Sequence, residues 1–200
     1  RHDSEHNYRS RFFEKLNAYK RVESAGGLLY NMPDGVKVNW LDDSKTNFQR
    51  KCKFTICFEG TAHDGFITEK ITDAFYADTI PIYFGSSNIT DIFNKDAFIN
   101  VADYESFDAV VEKVKELDQD DEKYLAMLRQ PILVDPDYPR RLDEELEKYI
   151  LHIFEQPLEK VYRRCRVYYP QWQNDFLMQA SKPKAGELLK KKLKRFLRRG

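Results

Sequence analysis

Residues 52–85 read CKFTICFEGTAHDGFITEKITDAFYADTIPIYFG, from Cys52 to Gly85. This one stretch decides the fold. Phe54 to Phe58 is a short apolar run with aromatic and β-branched members, the pattern of a strand covered on both faces. Gly60 and Gly65 then bracket a polar loop in which backbone amides can approach a ligand closely. Thr68 stands where a helix N-cap is expected, the helix runs from Glu69 towards Ala77, and a second strand follows at Ile80 to Phe84. Strand, glycine-bearing loop, helix start and strand in that order make a phosphate site.

Lys70 is the unusual residue of the unit. A cation in the first turn of a helix meets the positive end of the helix dipole and costs about a few tenths of a kcal/mol. A bound diphosphate would offset that cost, held by helix amides and Lys70 together, while Glu69 accepts hydrogen bonds from sugar hydroxyls. On this reading Lys70→Ala should slightly stabilise the empty protein. A helix start whose Glu69 and Lys70 simply face water fits the local pattern equally well.

Outward from this unit the elements alternate. Arg9 to Tyr19 is helical, Val22 to Ala25 has the character of a strand, and Gly26-Gly27 ends it. Beyond the second strand, Asn88 to Phe93 reads as a short helix and Ala97 to Val101 as a third strand. Phe107, Val110, Val111, Val114 and Leu117 then share one face of a helix whose other face is acidic and solvated. Leu142 to Tyr162 is helical in pattern and is expected to break near Gln156, ahead of Pro157. Strands alternating with helices argue an α/β fold, a Rossmann-like parallel sheet with helices on both faces. Such sheets bind ligands beyond the carboxyl ends of their strands, where the loop after Phe58 lies.

The ordered string closely resembles the donor-binding motif of the α1,3/α1,4-fucosyltransferases, roughly F-E-N-S/T, a short loop, Y/F-[VI]-T-E-K-[IL], a helix, then P-[IV]-Y-[WF]-G. Here the segments are Phe58-Glu59-Gly60-Thr61, Phe66-Ile67-Thr68-Glu69-Lys70-Ile71 and Pro81-Ile82-Tyr83-Phe84-Gly85. Arg9 to Leu16 resembles the family's R-x-x-[FY]-[FY]-x-x-L helix, Phe98 to Val101 its F-[IV]-N-V strand, and Ile153 to Leu158 the tail of bacterial members. The resemblance covers most of residues 8 to 165. Two positions depart from the pattern: Gly60 stands where the family has asparagine, and Phe66 where tyrosine is frequent.

The resemblance implies the carboxy-terminal, donor-binding half of a GT-B glycosyltransferase, with residues 1–165 as the nucleotide-sugar domain, while residues 166–200 read from their own composition as an aromatic connector and basic amphipathic tail. It implies GDP-fucose as donor, a GlcNAc or glucose residue of a glycan as acceptor, an α1,3 or α1,4 linkage, and inversion at the transferred carbon. Arg9 and Lys70 are then the catalytic cations that stabilise the leaving GDP. Arg9, Glu59, Gly60, Phe66, Thr68, Glu69 and Lys70 form the donor site. The general base is expected in an amino-terminal acceptor domain outside this chain. No cofactor or metal is required on this reading, with a divalent cation at most a stimulator.

The remaining features bound the setting. Two hundred residues suit one domain with an appendage. No run of about eighteen apolar residues occurs, so no spanning helix is expected. The chain begins at Arg1 and its first methionine is Met32, as expected of an excised piece. Cys52, Cys57 and Cys165 have no C-x-x-C spacing and an odd count, which argues against a disulfide framework. His2, His6, His63 and His152 do not suggest a metal site, and Asp135-Pro136-Asp137 reads as a proline-broken turn that only superficially copies a D-x-D metal signature. In residues 187–199 the leucines and Phe196 share one helical face, with lysines and arginines over the other, a pattern suited to an anionic membrane surface. A solubilising tail is the rival; nucleic acid is not expected as a partner, since no basic patch interleaved with aromatics occurs. The expected location is the bacterial cytoplasm at the inner membrane, or the Golgi in a eukaryote. Two other functions stay open: a catalytically incomplete nucleotide-sugar module acting with a partner, and a peripheral-membrane scaffold.

Overall fold

In a computed structural model, residues 7–33, 35–39 and 42–157 are described. They fall into two units, the first ending at Leu142 and the second beginning at Asp143. The first is a parallel sheet of three strands, β1 (Phe54–Phe58), β2 (Ile80–Phe84) and β3 (Ile99–Asn100), in the order β1-β2-β3. β1 pairs with β2 from Phe54 opposite Ile80 to Phe58 opposite Phe84, and β2 pairs with β3 through Ile82 opposite Ile99. This is the α/β parallel architecture that the alternating pattern predicts.

Side chains on successive strand positions point to opposite faces, so the sheet sorts its apolar residues into two cores. On one face Phe58, Ile80, Ile82 and Ile99 pack with Phe12 and Leu16 of helix α1 (Tyr8–Tyr19). Val110, Val111, Val114 and Leu117, from a later helix (Phe107–Gln119), complete that layer. On the other face Cys57, Tyr83 and Phe98 meet Ile71 and Ala74 of the crossover helix (Glu69–Tyr76). In chain order the helices are α1, α2 (Ser44–Gln49), α3 (Glu69–Tyr76), α4 (Phe107–Gln119), α5 (Asp121–Leu128) and α6 (Tyr138–Glu155).

The crossover α3 places the loop after β1 and the loop after β2 at the same end of the sheet. Glu59 N–H donates to the Phe84 carbonyl at 2.8 Å, extending the β1–β2 ladder one residue into those loops. At the opposite end Lys53 and Lys20 converge on Asp118, with Lys20 Nζ 2.8 Å from it, and Tyr19 Oη donates to the same carboxylate at 3.0 Å. This network ties α1 to α4 and leaves the loop end to the candidate residues.

Two expectations change. Val22 to Ala25 is not a strand; its polar backbone is satisfied by asparagine side chains, Asn17 Oδ1 accepting from Val22 N at 2.9 Å and Asn31 Oδ1 from Ser24 N at 2.8 Å. β3 is two residues long, because Asn100 Oδ1 accepts from Ala102 N at 3.4 Å and turns the chain into a 3-10 turn at Val101–Asp103. The short helix expected at Asn88 to Phe93 is a 3-10 turn at Ile89–Asp91. α6 ends at Glu155, as the Gln156-Pro157 pair requires. Residues 158–200, including the expected amphipathic tail at 187–199 and Cys165, lie outside the described residues. Among the described residues no helix is long and apolar enough to cross a membrane.

Candidate functional site

The candidate residues gather around the carboxyl ends of β1 and β2. The last residue of β1, Phe58, is buried against Phe12 with ring centroids 5.1 Å apart, and its carbonyl faces the first turn of α1. Arg9, in that turn, donates to the Phe58 carbonyl from both Nε at 3.2 Å and Nη2 at 2.7 Å. A guanidinium 49 residues away in sequence is thereby fixed at the strand end.

The next residue, Glu59, turns inwards and is only 2% exposed. Its carboxylate accepts from the Thr68 amide at 2.9 Å, from the Thr68 hydroxyl at 2.9 and 2.8 Å, and from Lys70 Nζ at 2.7 Å. Lys70 Nζ also donates to Thr68 Oγ1 at 2.6 Å. The sequence pattern leaves Lys70 needing an offset for its place at a helix start. Glu59 supplies it. Thr68 occupies the N-cap position, yet its hydroxyl serves Glu59 and Lys70 and makes no capping bond to the α3 amides.

Between these anchors the loop 60–67 is held from the β2 side. Gly65 N–H donates to Ser86 Oγ at 2.8 Å and to Asn88 Oδ1 at 3.0 Å, and the Asp64 carboxylate accepts from Ser87 Oγ. Gly65 has φ +75°, where a side chain is strained. Gly60 and His63 are exposed, and Phe66 stands 45% exposed, an aromatic face turned to solvent. Glu69 is exposed at the start of α3. Burial alone would push its carboxyl up, but its own backbone amide and the charges of Lys70 and Lys45 outweigh that and hold it below the ordinary range.

Chemically the site presents two anchored cations and an exposed aromatic ring, with no activated nucleophile among the described residues. Cys57 is fully buried beneath Lys70, donates to the Lys70 carbonyl at 3.2 Å, and burial pushes its thiol well up. Among the described residues no group of three metal-ligating side chains occurs. Asp135 and Asp137 form a turn ahead of α6, in which Asp135 accepts from Asp137 N at 2.9 Å and pairs with Arg141 at 2.6 Å. The sequence pattern predicts Arg9, Thr68 and Lys70 as neighbours of the loop. It does not reveal that Glu59 joins two of them, or that Ser86 and Asn88 brace Gly65; the polar Ser86-Ser87-Asn88 run after Gly85 is the signal that could have found the brace.

Residues 1–129 match the family described as glycosyltransferase family 10 (fucosyltransferase) C-term. The chain belongs to this family. It is 37% identical over 120 residues to an alpha-(1,3)-fucosyltransferase of Helicobacter pylori, covering 60% of this chain and 24% of that protein. It is 38% identical over 77 residues to 4-galactosyl-N-acetylglucosaminide 3-alpha-L-fucosyltransferase 9 of Homo sapiens, covering 38% of this chain and 21% of that one. A crystal structure of an alpha1,3-fucosyltransferase with GDP-fucose superposes with a TM-score of 0.59 at 36% identity, over 64% of this chain and 36% of the other. The chain thus spans about a quarter of these curated relatives and about a third of the solved structure. The family-10 resemblance and the parallel α/β fold expected from the sequence both hold.

Proposed function

We propose that this family-10 chain is the donor half of a fucosyltransferase that binds GDP-fucose across the loop 59–70 and transfers fucose to a GlcNAc or glucose residue of a glycan in α1,3 or α1,4 linkage with inversion. The observation that carries it is the seating of Arg9 and Lys70 on consecutive residues, Phe58 and Glu59, at the ligand-binding end of a parallel sheet. That arrangement suits a diphosphate. A solved relative that superposes on the chain is an alpha1,3-fucosyltransferase with GDP-fucose, which supports the same donor here.

On this reading an acceptor hydroxyl attacks the anomeric carbon of fucose while the bond from that carbon to the β-phosphate oxygen breaks. Negative charge grows on the departing GDP. Arg9 and Lys70 stabilise it from positions fixed before the reaction, which is where electrostatic catalysis gains most. Glu69 orients sugar hydroxyls, Phe66 offers a stacking face, and the loop at Gly60 shapes the entrance. The acceptor's proton leaves to a carboxylate base supplied outside residues 1–200. Residues 1–200 alone therefore bind donor without transferring it efficiently.

The test is GDP affinity in charge-removal variants of the 200-residue chain. Arg9→Ala and Lys70→Ala should each weaken GDP binding by about 1.5 to 3 kcal/mol, the scale of a charge-assisted hydrogen bond. Unchanged affinity in both would return the two residues to a purely structural role.

A further inference from the structure

We propose that Glu59 is a positioning residue for donor binding, holding the Lys70 ammonium on a buried carboxylate so that it faces an incoming diphosphate already in place. The proposal rests on the reading of Lys70 as a diphosphate contact. Glu59 cannot touch that ligand itself: its side chain is fully buried, and both its oxygens are occupied by Thr68 and Lys70. Apart from its charge, any influence it has on a ligand at the surface passes through those two residues.

Lys70 carries the consequence. Two of its three ammonium protons point inwards, to Glu59 Oε2 at 2.7 Å and Thr68 Oγ1 at 2.6 Å, while its side chain keeps 29% exposure. A flexible four-carbon cation is thus held with one donor directed outwards. Without the carboxylate, the ammonium is free to follow its stem into water, and binding must then order it. The carboxylate also subtracts one charge from the site, an effect of opposite sign. Contact distance decides between them. A phosphate oxygen on the outward proton sits roughly 2.8 Å from Nζ, while the carboxylate lies on the far side of the ammonium at about twice that separation.

The experiment measures GDP and guanosine affinity for the full 200-residue chain, for Glu59→Gln, for Lys70→Ala and for the double variant. Glutamine keeps an acceptor for the Thr68 amide but gives up the charge that anchors Lys70. Expected are a loss of GDP affinity of about five- to twentyfold in Glu59→Gln, unchanged guanosine affinity, and a double variant no weaker than Lys70→Ala alone. GDP affinity at or above the parent's in Glu59→Gln, equal losses for GDP and guanosine, or multiplying losses in the double variant would overturn it. Parent-like GDP binding by Lys70→Ala is a different result, which sinks the diphosphate reading itself. If Glu59→Gln does not fold, Thr68→Val decides: it deletes the hydroxyl shared by Glu59 and Lys70 and should lose GDP affinity selectively, whereas equal loss of guanosine overturns the proposal.

Discussion

A Cβ added to Gly85 would stand 2.7 Å from Cγ of Glu59, and 2.5 Å from the hydroxyl of Tyr83. Neither neighbour can move away easily. Tyr83 is fully buried with its hydroxyl accepting from Ser86 N at 3.0 Å, and Glu59 is held by Thr68 and Lys70. A side chain on the glycine that ends the P-I-Y-F-G segment would therefore collide with both Tyr83 and Glu59. Gly85→Ala should destabilise the chain by about 1 to 3 kcal/mol, the scale of overpacking, and weaken GDP binding as Glu59 shifts. Chemical denaturation with and without GDP reads both, and a variant as stable as the parent would contradict the close approach.

Lys70→Ala should destabilise the empty protein, the reverse of what the helix dipole alone predicts. Removing a cation from a helix start gains about a few tenths of a kcal/mol. Stranding the buried Glu59 carboxylate costs more, about 2 to 4 kcal/mol after allowing for water reaching the partly exposed lysine position. Melting of the ligand-free variant checks the sign; an unchanged or raised Tm would show that water satisfies Glu59 unaided.

Gly60 is where family-10 members carry asparagine, and nothing lies within 4 Å of a Cβ built there. Its φ is not in the left-handed range, since only Gly35 and Gly65 are positive among the described glycines. Gly60→Asn should therefore be accommodated without strain and should tighten GDP-fucose binding by about 1 kcal/mol, one added hydrogen bond. Weaker binding in a normally folded variant would mean that this loop takes the donor differently.

Acid stability depends on α4. Glu116 accepts from Lys123 and Lys113, at 2.7 and 2.9 Å, and these bonds lower its carboxyl from 4.5 to about 2. A pKa depressed in the folded state means that the unfolded chain binds more protons between those values. The stabilisation is therefore present above about pH 4.5 and lost as pH falls towards 2. Tm followed from pH 6 to pH 3 should fall more steeply in the parent than in Glu116→Gln, and parallel curves would remove Glu116 from the acid limb.

Much of the fold is legible because local pattern and tertiary role coincide. Phe54 to Phe58 and Ile80 to Phe84 are apolar on both faces because two layers of helix cover them, and the strands span those residues. Misreadings occur where side chains replace the ladder. Val22 to Ala25 has strand composition, but Asn17 and Asn31 take its backbone bonds, and Asn100 cuts short the strand begun at Ile99. At the site the sequence singles out candidate residues without revealing who holds whom. The Glu59–Lys70 pair is separated by a loop whose path is fixed from β2 through Ser86 and Asn88, so no spacing rule along one element predicts it.

On the proposed function the loop from Glu59 to Lys70 is a guanine-nucleotide diphosphate site. Calorimetric titration of the 200-residue chain with GDP and with UDP tests it most directly. A GDP dissociation constant of about tens to hundreds of micromolar, or roughly −5 to −7 kcal/mol, is expected, with UDP much weaker. Equal affinities for the two nucleotides, or no heat with either, would contradict it.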